Sequence, residues 1–522
     1  MANQDDSTNL TRRQVVTAVG ATGAIAAIDS VIGASEAQPG KTPHVIIVGA
    51  GLAGLCAAYL LQNKNWTYTI LEAERHHIGG RVRTMPIGNG LYWEAGAMRI
   101  PERHHITRKY IHMFGELELR RFVMSQRFMF ARGTTSTEEA VIKEQFALSP
   151  TEKPLSADKL WNRNIKKIAE GDVVGGLSQP ELKELRTGNS FTSSKLIDLD
   201  RKSLRQLMHN PGFDGVPPLS DEAIEFVLFV TGNLTIQHGA STEFLREENI
   251  GVWDFEFSEI KGGTSRFPMA FFNRLKKKPW MGCEVIRLEQ NNQRGRVGAV
   301  YRTGGRVAYE EGDFLICTIP FPVLARIEAV PPFSYEKYRA IIELGYDSGT
   351  KVALMTKYRF WEKKHIYGGS SKTDLITGAI VYPSDNALDK DGTQPLDPAV
   401  SDRPGVFIAS YTWGQDARRL GAMPATQRED FVIQQVSQIH PELRTRGMIL
   451  DRKSWAWDTY RWSGGAFAFY QPGQFARIHQ HVVQPEGRIY FAGEQCSHSH
   501  SWMEGALESA ENAVDALVAR AG

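Results

Sequence analysis

The segment His44-Val45-Ile46-Ile47-Val48-Gly49-Ala50-Gly51-Leu52-Ala53-Gly54 carries the strongest indication of fold in this 522-residue chain. Its first five residues are almost continuously apolar, as is typical of a parallel strand buried on both faces. Three glycines follow at G-x-G-x-x-G spacing, and an Ala- and Leu-rich segment, 55–62, then predicts a helix. A second apolar run, 68–71, ends at Glu72. Strand, turn, helix, strand and acid in this order predict a dinucleotide-binding βαβ unit.

Each glycine of this turn has a separate task in such a unit. Gly49 permits the tight turn, Gly51 lets a pyrophosphate approach the backbone, and Gly54 lets the helix pack on its strand. The N-terminus of the helix would direct unpaired N–H groups at the phosphates, and the Glu72 carboxylate would accept a ribose hydroxyl. We therefore predict a first group of dinucleotide contacts: Gly49, Ala50, Gly51, Leu52, Ala53, Gly54, Glu72 and Ala73.

Composition excludes several classes of protein. Lys and Arg number 61 against 59 Asp and Glu, so the net charge is +2 and the basic excess of a nucleic-acid-binding protein is missing. The four cysteines form no C-x-x-C pair, which excludes a disulfide scaffold and a zinc ribbon. No apolar run reaches the roughly 18 residues of a membrane span. We expect a multidomain enzyme that binds no nucleic acid and has no integral membrane span.

Residues 1–41 differ in composition from the remainder of the chain. Thr11-Arg12-Arg13 precedes a weakly apolar run, 15–28, and Ser35-Glu36-Ala37 is similar to a small-residue cleavage site. This order resembles a twin-arginine export signal. A genuine signal would send the protein to the periplasm or out of the cell. The alternative is a disordered tail with a chance Arg-Arg pair on a cytoplasmic protein, and in both cases the segment is left out of the predicted fold.

Two further motifs indicate which dinucleotide is bound. Ile78-Gly79-Gly80-Arg81-Val82 follows the acidic strand end, and Arg488-Ile489-Tyr490-Phe491-Ala492-Gly493-Glu494 precedes a predicted helix, 502–520. Together with the glycine turn, these motifs resemble the flavin-dependent amine oxidase family over about residues 43–520. The resemblance implies bound FAD, with the N-terminus of the last helix directed at the flavin pyrimidine ring, where it would favour the anionic reduced flavin. It also implies a second group of FAD contacts: Gly80, Arg81, Ala97, Met98, Arg99, Val285, Gly493, Glu494, Trp502 and Met503.

One arginine sets the expected substrate class. Gly96-Ala97-Met98-Arg99-Ile100-Pro101-Glu102 resembles the L-amino-acid oxidases, whose arginine in this motif clamps the substrate carboxylate. A guanidinium suits that role because its fork makes two parallel charge-assisted hydrogen bonds to a planar carboxylate. Amine and polyamine oxidases have no carboxylate to bind and lack this arginine. The alternative is a structural Arg99 paired with an acid such as Glu102.

The same resemblance supplies the remaining site residues. Tyr346-Asp347-Ser348-Gly349-Thr350-Lys351 matches the strand whose lysine holds a water beside flavin N5, so Lys351 is the predicted catalytic residue. Ala466 stands where monoamine oxidases carry the cysteine that tethers the flavin, so FAD is predicted to bind non-covalently. The predicted substrate pocket consists of Arg99, Tyr382, Phe467, Ser501 and Trp502.

Four histidines near the C-terminus, His479, His481, His498 and His500, raise the question of a metal site. Nothing else in these segments supplies a ligand set of fixed geometry. We interpret the four as polar neighbours or surface residues, and no metal is predicted.

The expected architecture is an α/β fold with a discontinuous Rossmann-like FAD-binding domain, a mixed-sheet substrate-binding domain and a helical insert. The FAD-binding domain would comprise residues 43–98, 246–330 and 464–520, and the substrate-binding domain 99–142 and 331–463. The insert, 143–245, carries amphipathic stretches broken by Pro and Gly. In the oxidases that the chain resembles, the equivalent insert helps to form the substrate entrance.

The resulting expectation is FAD-dependent oxidative deamination of L-amino acids to a keto acid, ammonia and hydrogen peroxide, with oxygen as the second substrate. Phe467 and Trp502 favour bulky neutral or aromatic side chains over acidic ones. Three alternatives stay open: a decarboxylating 2-monooxygenase with the same arginine motif, an amine or polyamine oxidase, and a non-catalytic FAD-binding partner protein. The sequence does not decide between a monomer and a homodimer.

Overall fold

The predicted first strand, His44–Val48, is the middle strand of a five-stranded parallel sheet. The structure is a computed structural model that describes residues 42–291 and 293–521, so the predicted leader, 1–41, lies outside the described residues. The strands of this sheet come from three separated stretches of the chain. In order across the sheet they are Trp280–Met281, Thr67–Glu72, His44–Val48, Phe314–Cys317 and Ile489–Phe491.

Both faces of this sheet are covered, which explains the unbroken apolar run of its middle strand. Val45 and Ile47 belong to a core that includes the helix Leu52–Asn63. Ile46 and Val48 belong to a second core on the opposite face. Because successive side chains of a strand point to opposite faces, each face needs its own apolar residues.

A seven-stranded mixed sheet forms the second large unit. Its strands pair antiparallel except at one junction, where Gly369–Thr373 and Gln126–Ala131 run parallel. In order, the strands are Ile449–Ala456, Gly349–Thr356, Gly405–Trp413, Ala379–Tyr382, Gly369–Thr373, Gln126–Ala131 and Thr134–Ser136. A four-stranded sheet contains Arg306–Gly312, Arg296–Thr303, Glu284–Asn291 and Glu328–Val330. A three-stranded sheet contains Ile100–Pro101, Phe257–Ile260 and Leu119–Phe122. Two-stranded sheets pair Thr84–Ile87 with Leu91–Glu94 and Tyr346–Asp347 with Phe467–Ala468.

A run of helices occupies the chain from residue 139 to residue 250. Ser156, Ser203 and Ser220 each begin a helix by accepting a backbone N–H bond, as N-cap serines do. The helices are Glu139–Lys143, Ala157–Trp161, the π-helix Asn162–Lys166, Lys167–Glu170, Gln179–Thr187, Ser194–Asp200, Leu204–His209, Asp221–Thr231 and Ser241–Ile250.

The remaining helices lie before and after this run. They are Leu52–Asn63, His105–Phe114, Arg266–Arg274, Phe321–Leu324, Tyr335–Glu343, Gly414–Gly421, Ala425–Val436, Gln474–Val483 and Met503–Ala521, with 3₁₀ turns at Glu362–Lys364, Pro398–Asp402, Pro441–Arg444 and Glu494–Cys496. No helix within residues 42–291 and 293–521 is long and apolar enough to cross a bilayer.

The fold class predicted from the sequence is confirmed. A parallel sheet built from separated stretches, a mixed sheet and a helical segment occur together in one chain. The domain boundaries given above stay predictions.

Candidate active site

A cavity of about 830 Å³ is shared by the parallel sheet, the mixed sheet and the helical segment. Gly49 and Gly51 of the glycine turn, Arg99 and Lys351 all line it, and Phe229 contributes from the helical segment. The cavity therefore connects the predicted dinucleotide site with the predicted substrate residues.

The glycines of the turn meet different surroundings. Gly49 has φ +104°, a conformation that residues with a Cβ rarely adopt. A Cβ on Gly54 would lie 2.0 Å from Gly49 O, so only glycine lets this helix approach its strand. A Cβ on Gly51 would meet nothing within 4 Å. Gly51 thus borders free cavity space that a pyrophosphate can fill.

Glu72 ends the second strand and turns its carboxylate toward the glycine turn. Its Oε2 accepts a hydrogen bond from Ala50 N at 2.6 Å, and its Oε1 accepts one from Glu74 N at 2.7 Å. Burial raises the pKa of this carboxyl, and the two backbone N–H groups oppose that rise. Because a carboxylate has about four acceptor positions and Glu72 lines the cavity, it can also accept a ribose hydroxyl.

An ion pair joins two of the motifs that pointed to FAD. Arg81 Nη1 lies 2.6 Å from Glu494 Oε1, although 413 positions separate the two residues. The Glu494 carboxylate also accepts hydrogen bonds from Ala468 N at 3.0 Å and Ser501 N at 2.9 Å. Glu494 therefore holds three chain segments together at the cavity wall.

The lining fits a flavin dinucleotide. The start of the helix Leu52–Asn63 presents backbone N–H groups, and Glu72 supplies an acceptor at the strand end. Of the residues predicted to contact FAD, Ala50 and Gly54 do not line the cavity: Ala50 is buried and bonded to Glu72, and Gly54 packs on Gly49. The others do line it: Gly49, Gly51, Leu52, Ala53, Glu72, Ala73, Gly80, Arg81, Ala97, Met98, Arg99, Val285, Gly493, Glu494, Trp502 and Met503.

Lys351 is buried on the strand Gly349–Thr356 and lines the cavity. Its Nζ donates to Glu94 O at 3.1 Å and to Gly96 O at 2.6 Å, and it lies 4.3 Å from the centre of the Tyr411 ring. Burial lowers the pKa of Lys351 to about 7. An amine that loses its proton near neutral pH can exchange protons with a neighbouring water.

Arg99 lies among aromatic rings in the cavity. Its guanidinium carbon is 5.1 Å from the centre of the Trp253 ring and 5.8 Å from that of Trp502. Glu247 holds both indoles, accepting from Trp502 Nε1 at 2.8 Å and from Trp253 Nε1 at 2.9 Å. Within the described part of the chain Arg99 forms no ion pair, and Glu102 is exposed. The structure therefore does not support the alternative of a structural pair between Arg99 and Glu102.

Tyr382 does not reach the cavity, which corrects the sequence prediction. Its side chain is buried, and its hydroxyl lies 2.6 Å from His440 Nε2 and 2.8 Å from Ser371 Oγ. The preceding residue, Val381, lines the cavity instead. Alternation along the strand Ala379–Tyr382 puts these two side chains on opposite faces, so Tyr382 belongs to the core.

Tyr411 and Trp413 are among the aromatic residues that line the cavity and were not predicted from the sequence. Tyr411 and Trp413 lie two positions apart on the strand Gly405–Trp413, with ring centres separated by 5.1 Å. Burial raises the pKa of the Tyr411 phenol, and the charge of nearby Arg99 opposes that rise. Their two-residue spacing was the available signal, but it reveals a cavity only once the strand is known to lie beside that of Lys351.

The remaining predicted pocket residues all line the cavity: Phe467, Ser501 and Trp502. The Phe467 ring stands perpendicular to that of Trp413, with centres 6.3 Å apart. Ala466 lines the cavity next to Phe467 and has no sulfur with which to tether a flavin.

The histidines make hydrogen bonds within the protein. His479 Nδ1 lies 2.7 Å from the Tyr470 hydroxyl, and His500 Nδ1 lies 3.1 Å from Glu243 Oε2. His498 Nε2 lies 3.0 Å from a backbone carbonyl. Across residues 42–291 and 293–521, no group of three or more His, Cys, Asp or Glu side chains is placed to hold a metal ion.

Comparison with known sequences finds a matching family model and similar proteins. The model of the family described as flavin containing amine oxidoreductase matches residues 52–518. The chain is 30% identical over 489 residues to the provisionally named L-amino-acid oxidase YobN of Bacillus subtilis (strain 168), covering 91% of this chain and 94% of that protein. It is also 30% identical over 476 residues to the L-amino-acid oxidase of Notechis scutatus scutatus, covering 89% of this chain and 85% of that protein.

Solved structures share the fold at lower sequence identity. A putrescine oxidase variant superimposes on this chain with a TM-score of 0.70 at 18% identity, and the match covers 92% of this chain and 100% of the variant. Cyclohexylamine oxidase from Brevibacterium oxydans IH-35A superimposes with a TM-score of 0.69 at 17% identity, covering 92% and 99% of the two chains. At this identity the likeness concerns the fold alone.

Proposed function

Since this chain belongs to the flavin-containing amine oxidoreductase family, we propose that it catalyses the FAD-dependent oxidative deamination of L-amino acids. One observation carries this proposal: Arg99 lines the cavity without an ion-pair partner among the described residues. Burial lowers the pKa of Arg99, and the nearby Tyr411 and Glu247 oppose that shift, so the guanidinium charge is costly in the cavity while no carboxylate of the described residues is paired with it. A substrate carboxylate would supply that counter-ion.

Three groups of this chain would act on the bound amino acid. The Arg99 fork would hold the carboxylate bidentately and so fix the orientation of the α-carbon. Lys351, with its pKa lowered to about 7, would hold a water and pass a proton to or from it. The rings of Tyr411 and Trp502 would exclude bulk water from the reacting amine. When bound, the flavin supplies a two-electron acceptor that oxygen can reoxidise.

The aromatic residues of the cavity wall favour a substrate that carries a long side chain. Trp413, Phe467 and Trp502 line the same cavity, and bulky neutral or aromatic side chains would pack on them, as expected from the sequence. Lys372 lines the same cavity, so the charge of the wall also bears on the side-chain preference.

A second candidate function, oxidation of a simple amine, is favoured by the likeness to putrescine and cyclohexylamine oxidases, which concerns the fold. It leaves Arg99 without a counter-ion, so we rank it below amino-acid oxidation. A decarboxylating 2-monooxygenase would use the same arginine and differs only in the fate of the product.

The deciding experiment is anaerobic mixing of the FAD-loaded chain with each of the twenty L-amino acids and with the matching amines. We expect several L-amino acids to bleach the flavin absorbance band and the amines to do so poorly. Admitting oxygen should then yield keto acid and peroxide. Faster bleaching by the amines would favour an amine oxidase, amide and carbon dioxide would indicate a monooxygenase, and no bleaching at all would contradict an oxidase.

A further inference from the structure

Like Arg99, Lys372 is a cation that lines the cavity and has no ion-pair partner among the described residues. It is half-buried on the strand Gly369–Thr373, and within the described residues it forms no hydrogen bond either. A Cβ on Gly232 would lie 2.6 Å from its Nζ, which places the ammonium against the end of the helix Asp221–Thr231. The partial negative charge of that helix end favours a charged lysine.

The register of the mixed sheet relates Lys372 to the predicted catalytic lysine. Lys351 pairs with Tyr411, Tyr411 pairs with Ala379, and Ala379 pairs with Lys372. Directly paired residues share a face of the sheet, and neighbouring strands lie about 4.8 Å apart. The two lysines thus stand at the ends of one row with Tyr411 and Ala379 between them, and the small Ala379, which lines the cavity, leaves room for a substrate side chain next to Lys372.

Three of the carboxylates that line the cavity already have partners. Glu247 is bonded to two indoles, Glu243 to Arg246 and His500, and Asp254 to Lys166. None of them is paired with Lys372. Burial lowers the pKa of Lys372 to about 8, and the nearby charge of Arg99 adds to that shift. Two cations that repel each other in one cavity are both relieved by a ligand with two negative charges.

We propose that Lys372 binds the side-chain carboxylate of an acidic L-amino acid while Arg99 binds its α-carboxylate. The inference rests on the proposed function and deepens it, naming the substrate class as α-amino dicarboxylic acids, with L-glutamate as the probe. It replaces the neutral preference expected from the sequence, because that expectation rested on the aromatic wall and did not include Lys372.

The test compares kcat/KM for L-glutamate, its neutral isostere L-glutamine and L-leucine in the FAD-loaded full chain. The unaltered enzyme should prefer L-glutamate to L-glutamine by about tenfold or more. Lys372→Met should lower kcat/KM for L-glutamate by at least about 30-fold, since one partner of a buried charge pair is removed, and should change the value for L-leucine by less than about threefold. Lys372→Glu should shift the preference toward L-lysine.

Lys166→Met is the matched control, because Lys166 lines the same cavity but is paired with Asp254. It should leave the ratio of L-glutamate to L-leucine unchanged. Equal losses on all substrates in Lys372→Met, together with a lower Tm, would assign Lys372 to the helix end and overturn the inference. Turnover of L-leucine without a preference for L-glutamate would also overturn it while leaving the proposed function intact. If no L-amino acid reduced the flavin, the proposed function itself would fail.

Discussion

Arg99 has no ion-pair partner among the described residues. For this reason it is informative about the substrate. An arginine that only stabilised the fold would be expected beside an acid, whereas Arg99 is surrounded by Trp253, Phe257 and Trp502. Aromatic faces attract a guanidinium without neutralising it. The charge stays available for a carboxylate that enters the cavity.

Replacing Arg99 by Ala should therefore lower kcat/KM on L-amino acids by roughly 30-fold to several thousand-fold, the cost of about 2–5 kcal/mol for an unpaired buried carboxylate. Arg99→Lys should recover only part, because an ammonium cannot form the parallel fork. Steady-state kinetics measure both, and the flavin spectrum should stay normal. Arg103→Ala is the control, since Arg103 is exposed and stacks on Phe255. Near-parental kcat/KM in Arg99→Ala would make an amine oxidase the leading interpretation.

The lowered pKa of Lys351 predicts a pH dependence of the reductive step. Below pH 7 the ammonium predominates, and above pH 7 the neutral amine does, because burial lowers the pKa of Lys351 to about 7. If the neutral amine accepts the proton, anaerobic flavin reduction should accelerate as the pH rises through 7. Lys351→Met should be slower and lack this ionisation. Stopped-flow absorbance from pH 5.5 to 9 checks it, and an unchanged profile in the variant would exclude Lys351 as the titrating group.

At the scale of single elements, alternation and close approach decide which residues reach the cavity. On the strand Ala379–Tyr382, Val381 faces the cavity and Tyr382 the core. In the glycine turn, Gly51 faces free space and Gly54 faces Gly49 O. Tyr382 and Tyr411, and likewise Gly51 and Gly54, therefore supply pairs of variants with different expected effects.

Tyr382→Phe should destabilise the protein and leave turnover nearly unchanged. The lost hydroxyl leaves His440 Nε2 and Ser371 Oγ short of a buried hydrogen-bond partner, at a cost of about 1–3 kcal/mol. Tyr411→Phe should instead alter KM for the amino acid and change the stability little, because Tyr411 lines the cavity. Denaturant unfolding and steady-state kinetics on both variants measure these effects. A kinetic defect in Tyr382→Phe with normal stability would return Tyr382 to the substrate site.

Gly51→Ala and Gly54→Ala should separate cofactor binding from folding. At Gly51 a Cβ meets nothing within 4 Å, so the apoprotein should stay as stable as the parent while its FAD affinity falls. At Gly54 the Cβ would lie 2.0 Å from Gly49 O, so the helix must shift and the whole domain should lose stability. Thermal unfolding of the apoproteins and FAD titration measure the two effects. Equal losses of stability would contradict this division.

At the scale of the whole molecule, the cavity exists only because distant segments meet. The parallel sheet brings His44–Val48 beside Phe314–Cys317 and places Ile489–Phe491 next to that strand. The Arg81–Glu494 ion pair then closes the wall across 413 positions. Val48, Thr318 and Gly493, at or just after the ends of these strands, line the cavity, so cofactor binding and global stability are expected to be coupled.

The cofactor should accordingly leave intact when the fold is lost. Ala466 provides no thiol for a covalent link, so acid or heat denaturation should release yellow FAD into the supernatant. Added FAD should raise the Tm of the apoprotein in proportion to the logarithm of its concentration above Kd. Flavin that stayed with the denatured pellet would show that another residue tethers it.

The fold class and the family could be predicted from the sequence alone, because both depend on local order along the chain. Strand, glycine turn, helix and acid lie within residues 44–72, and the motif around Arg99 is similarly short. Backbone conformation, phosphate binding and carboxylate binding are set by such neighbouring residues. Gly51 and Gly54 illustrate this, since the free space at Gly51 and the close approach at Gly54 agree with the roles that the G-x-G-x-x-G spacing predicts.

Which side chains face the cavity, and which charges there have partners, became known from the three-dimensional arrangement of the strands and helices. Tyr382 was assigned to the wrong face, because strand phase depends on which side of the mixed sheet the core lies. Tyr411, Trp413 and Lys372 were missed, because they reach the site through the register of strands that are far apart in sequence. Whether a buried charge lacks a partner depends on every segment that packs around it, and a linear sequence does not contain that information.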